Sequence, residues 1–146
     1  MGKLESGKYI ISESDPNRPE LADIRTRILH LADDTIEGAF SVECVWFFKG
    51  CDEISVYPHK HDFDEVLAFI GSDPAHPHDL GGEVDLWLDG EKHVLTKSCV
   101  VYLPKGLIHC PLVIRKVNKP IFHFSTVPVG KYKLSQQKKW PVYTAG

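Results

Sequence analysis

The stretch Tyr57 to Glu65, YPHKHDFDE, sets two histidines one residue apart and follows them with three acids in four positions. Residues i and i+2 of an extended chain share a face, so His59 and His61 point the same way, roughly 6–7 Å apart over two strand rises. That separation lets two imidazoles converge on one cation. Asp62-Phe63-Asp64 forms a polar corner able to turn the chain, so that the Glu65 carboxylate returns from the next strand. Imidazole and carboxylate together suit borderline divalent metals such as Fe(II), Mn(II), Ni(II), Cu(II) and Zn(II). A fourth ligand is on offer in LPKGLIHCPLVI, where Pro104 and Gly106 force a turn and His109 opens the strand that follows. In an antiparallel barrel this strand can lie beside the one carrying His59 and His61.

The surrounding sequence supports such a barrel. From Gly38 onward the chain reads as short strands: AFSVECVWFF, EISVYPHKH, EVLAFIG, EVDLWLDGEKHVL, CVVYLPKGLIHCPLVI and PIFHFSTVPV, divided by Gly and Pro. Asp89-Gly90 is a hairpin signal, because both central positions of that turn want φ > 0. Regular short strands with this punctuation predict an all-β barrel or sandwich. The segment DPNRPELADIRTRIL is open between a short helix capped by Asp15 or Asn17 and an added edge strand with Ile24, Thr26 and Ile28 alternating. GSDPAHPHDLGG, Gly71 to Gly82, is a long excursion between strands, of the kind that often covers a binding mouth.

HKHDFDE, with Gly71 behind it, resembles the first motif of the cupin superfamily, His-x-His, three or four residues, Glu, then Gly. PKGLIH resembles the second, Pro-x-Gly-x-x-His, and the two stand in the right order across about residues 40 to 127. The resemblance implies a double-stranded β-helix (jelly-roll) barrel with a variable N-terminal segment. It also implies one divalent transition metal per chain, Fe(II) or Mn(II) favoured, held by His59, His61, Glu65 and His109, and frequent homodimerisation. Ser98 and Val113 depart from the glycine and asparagine that often frame the second motif, at positions that shape turns. The domain expectation is an N-terminal extension over 1–37, a barrel over 38–128 and a tail over 129–146.

The bulk properties exclude other classes. With 146 residues the chain suits one domain. A net charge of −3 argues against a nucleic-acid partner, which needs a clustered positive surface; GKYKLSQQKKW reads as a solvated tail. No apolar stretch approaches the ~20 residues that span a bilayer, and the N-terminus lacks a signal core. Cys44, Cys51, Cys99 and Cys110 are scattered without a C-x-x-C pair, which suits reduced, mostly buried thiols of a cytoplasmic protein.

The function expected is therefore a metal-dependent enzyme on a small molecule, with dioxygenase-like oxidation ahead of isomerase, decarboxylase or lyase chemistry and of a non-catalytic binding cupin. Glu65 doubles as ligand and candidate base. Tyr102, Trp87, His123 and His78 are candidate pocket or supporting residues. Cys110 adjoins His109, but adjacent strand residues face opposite sides, which argues against a Cys–His dyad. Glu43, Glu83 and Asp85 fall on strands, and whichever faces inward becomes a candidate acid or base.

Overall fold

The computed structural model describes residues 5–12 and 23–129. The helix considered around Asp15 and Asn17 lies outside these. After a short 3-10 turn at Glu5–Tyr9, eight strands follow: β1 Arg25–Leu31, β2 Ser41–Phe47, β3 Glu65–Gly71, β4 Asp79–Leu88, β5 Glu91–Lys97, β6 Cys99–Leu103, β7 His109–Val117 and β8 Ile121–Val127. They form two antiparallel sheets, one ordered β1-β2-β8-β3-β6 and the other β5-β4-β7. The architecture is an all-β double-stranded β-helix. Arg25–Leu31 resolves the open N-terminal reading toward a strand: it pairs with β2 and becomes the edge of the larger sheet.

Alternating inward residues of the two sheets make the core. Leu67, Phe69 and Ile121 from one sheet meet Leu80, Val84, Leu86 and Ile114 from the other, with Phe47 and Leu103 closing the ends. The Asp89-Gly90 turn has φ of 51° and 80°, so both positions take the left-handed region that the dipeptide was read to supply.

Two sequence expectations need correction. EISVYPHKH does not form a continuous strand; only isolated bridges join Val56 to Leu112 and His59 to His109. Pro58 has no N–H for a ladder. The segment still runs along β7, with Ser55 N donating to Leu112 O (2.8 Å) and His59 and His109 exchanging backbone hydrogen bonds of 3.0 Å.

The second correction concerns the Pro- and His-bearing loop, which contributes no residue to the lining of the barrel's cavity. It leaves β3 at Gly71, the end opposite Glu65, and packs beside Ile121. Ser98 pins it, accepting from Gly71 N (2.9 Å) and donating to Pro77 O (2.8 Å), while Lys119 pairs with Asp73 at 2.8 Å. An added side chain at Gly71 would stand 1.9 Å from the Asp79 carbonyl oxygen, so this crossing needs a residue without Cβ.

Candidate metal centre

His59 and His61 reach the barrel interior from the segment along β7, Glu65 from the first residue of β3, and His109 from the first residue of β7. Two polar clamps hold these pieces in register. Asp64 accepts from the backbone N of Lys105 (2.8 Å) and from the Tyr102 hydroxyl, and Gly106 N donates to His61 O (3.0 Å). The corner before Glu65 is thereby tied to the turn before His109. The Tyr102 hydroxyl, then the Lys105 amide, hold the exposed Asp64 carboxyl below its ordinary value.

All four side chains are buried, and one ligand atom from each lies within 4.8 Å of the others. Each imidazole is oriented through its Nδ1, which donates to a backbone carbonyl two residues away: His59 to Tyr57 O (2.8 Å), His61 to Phe63 O (3.1 Å) and His109 to Leu107 O (2.9 Å). The His61 ring also stacks on Phe63, centroids 4.3 Å apart. With Nδ1 protonated by these bonds, Nε2 is left as a lone-pair donor, the tautomer that metal-bound histidines take.

The Nε2 atoms of His61 and His109 then stand 3.1 and 3.4 Å from the same oxygen, Glu65 Oε1. The longer contact lacks hydrogen-bond geometry, so His109 Nε2 is a buried polar atom without a partner. Lone pairs directed at a carboxylate oxygen repel each other unless a cation stands among them. The residues present therefore fit a divalent metal. Burial chiefly pushes His59 below its ordinary pKa, with His109 and His61 adding to the effect, and keeps it in the neutral form a ligand needs. Burial pushes the Glu65 carboxyl up, but where a proton on His109 or His61 Nε2 takes the cation's place, those rings outweigh it and hold the carboxyl below its ordinary value.

No protein-family model matches the chain, and no curated protein matches it. Among solved structures, Peruvianin-I, a cysteine peptidase from Thevetia peruviana latex, is similar at 12% identity over 88% of this chain and 76% of that one, TM-score 0.55. An RmlC-like cupin from Shewanella frigidimarina is similar at 18% identity over 80% and 90% of the two chains, TM-score 0.45. KdgF from Halomonas sp. gives 16% identity over 80% and 86%, TM-score 0.46. What is shared is the antiparallel β-barrel fold. At these identities the likeness concerns the fold alone.

His59, Glu65 and His109 line a cavity of about 560 Å³. Its lining is largely apolar near the ligands, with Val56, Leu67, Leu112 and Val127, and polar toward β1 and β2, with His30, Asp33, Asp34, Ser41 and Glu43. His123 also lines it. Its Nδ1 donates to Ala68 O (2.9 Å), and its ring stacks on Phe69 at 4.5 Å.

Three other candidates lie elsewhere. Tyr102 sits on the outer face of β6, 59% exposed. Trp87 shares the face of Asp85, away from the inward Leu86, and lies beneath the Lys92 ammonium. His78 is exposed in the loop that packs beside Ile121. Of the strand acids, Glu43 lines the cavity, Glu83 is exposed, and Asp85 is held by Arg115 at 2.6 Å.

Cys110 corrects a rule. Both it and His109 line the cavity, because φ at Cys110 is 77° and the β4–β7 register shifts between Leu86 and Leu88. Alternation fails across such a bulge. Burial pushes the Cys110 thiol well up, which is the reverse of what a nucleophile needs. The other three cysteines are half-buried rather than buried, and all four are free thiols.

Burial pushes His123 down from 6.5 to about 4. Between those values the unfolded chain binds a proton that the folded one refuses, so stability is full above pH 6.5 and falls as pH drops toward 4. The expected loss from this group is up to roughly 3 kcal/mol. Urea unfolding of metal-stripped protein at pH 7.0 and 4.5 should show a much smaller drop in His123→Gln than in wild type. An equal drop in both proteins would assign the acid sensitivity to other groups.

Proposed function

We propose that this chain is a metal-dependent cupin enzyme acting on a small molecule, most directly by dioxygenase-like, O2-dependent oxidation. The observation that carries the reading is the unpartnered Nε2 of His109, buried with His59, His61 and Glu65 around one point that opens onto a mainly apolar cavity. Fe(II) or Mn(II) suits the three-imidazole, one-carboxylate set, and four protein ligands leave positions for a bidentate substrate or for substrate and O2. When bound, the metal supplies a Lewis acid that polarises a substrate oxygen.

The chain's own groups do the rest. The backbone carbonyls of Tyr57, Phe63 and Leu107 fix the three rings. Val56, Leu67, Leu112 and Val127 exclude water beside them. Glu65 is the candidate to take a proton.

The test is oxygen consumption by Fe(II)-loaded protein on a panel of small hydroxy-, keto- and amino-acids under an oxygen electrode. Turnover is expected for at least one compound class and is expected to vanish in Glu65→Ala. Conversion of panel compounds without O2 uptake would replace oxidation by isomerase or lyase chemistry at the same site.

A further inference from the structure

The cavity wall away from the proposed ligands is built by β1 and β2 and is rich in carboxylates. His30, Asp33, Asp34 and Glu43 all line it. His30 is 8% exposed and has a carboxylate at each ring nitrogen, with Nδ1 2.6 Å from Glu43 Oε1 and Nε2 3.0 Å from Asp34 Oδ1. Arg27 Nη1 approaches Glu43 Oε2 at 3.3 Å from outside the cavity lining. Glu43 is therefore a fixed carboxylate rather than a wandering surface acid.

Strand register sets its distance from the metal ligands. His30 pairs with Glu43, Glu43 with Ser125 and Ser125 with Leu67, a row that ends two residues along β3 from Glu65. Two strand spacings across and two residues along put the Glu43 and Glu65 backbones about 12 Å apart. Leu67, Val56 and Val127 line the same cavity, together with Ser125 of that row. At the far end, His109, 2% exposed and with an unpartnered Nε2, lines the same cavity. The cavity thus has a cation-demanding pole, a largely apolar middle that includes Ser125, and an acidic pole.

We infer that the site takes a small amine-bearing acid, its carboxylate at the metal and its ammonium at Glu43, separated by a short aliphatic body. This rests on the proposed metal site, since the acid end needs the cation. Asp33 and Asp34 add negative potential at the mouth, and His30 positions Glu43 without touching the ligand.

The probes are 6-aminohexanoate and hexanoate, titrated calorimetrically into Mn(II)-loaded protein whose metal content is measured beforehand. The amino acid is expected to bind about ten-fold more tightly, the scale of one charge-assisted hydrogen bond. In Glu43→Gln, metal content should be unchanged and the preference should shrink to about two-fold or less. If Glu43→Gln does not fold, Asp34→Asn, at a side chain 57% exposed, should still reduce the preference. Hexanoate binding as tightly as 6-aminohexanoate to loaded wild type overturns the inference, as does a Glu43→Gln variant that keeps the preference. Wild type that takes up no metal overturns the metal reading itself, and the metal assay reveals this before any acid is added.

Discussion

His109→Ala should reduce bound metal from near one ion per chain to a trace, measured by elemental analysis after growth in metal-replete medium. His109 contributes a buried ligand atom that has no hydrogen-bond partner. Its replacement leaves two imidazoles and a carboxylate, an incomplete set for the same ion. Loss of a supporting residue around a metal ligand already lowers affinity 10–100-fold, so loss of the ligand itself should exceed about a hundred-fold. Thermal unfolding supplies a second readout. Adding Mn(II) at about a hundred times its dissociation constant should stabilise wild type by about 2.7 kcal/mol and leave the variant unmoved. Metal-free wild type that stays folded in metal-replete growth would remove the basis for an enzyme of this kind.

The largest expected loss of stability is at Phe69. Its side chain is fully buried, packs in the inter-sheet cluster and stacks on His123. Phe69→Ala should cost about 3–5 kcal/mol, a lost transfer term plus the cavity left where two sheets cannot collapse further. Urea denaturation at pH 7 measures it. Because Phe69 lies beneath a cavity-lining histidine, the variant should also free the His123 ring, visible as a rise of its NMR titration midpoint from about 4 toward 6.5. A cost below about 1 kcal/mol would mean that the core repacks around the gap.

Much of the fold and the grouping of the candidate metal centre could be read from residue types and spacing. The His59 and His61 pair, the corner at Asp62 to Asp64 and the Pro104–Gly106 turn are local signals, and the structure brings their four ligand side chains to one point. Features set by pairing between distant strands were not legible. His30 looks like any strand histidine until β1 is known to pair with β2, which sets it opposite Glu43. Cys110 breaks strand alternation because of a register shift that depends on β4, far away in sequence. The Gly71–Gly82 loop was composed like a lid, yet which end of the barrel it occupies depends on strand direction. The same holds for Tyr102, an aromatic whose face is decided only by the inward turn of Leu103.

The paired backbone hydrogen bonds between His59 and His109 also bear on how the candidate metal centre is assembled. The ligands arrive from two segments, one ending at Glu65 and the other starting at His109, with β3 to β6 synthesised between them. Contacts so distant along the chain form only after the entropy of closing that long loop has been overcome. A nascent chain holding only the first segment can offer an incomplete, low-affinity set. If the centre holds a metal as proposed, its capture is coupled to closure of the barrel.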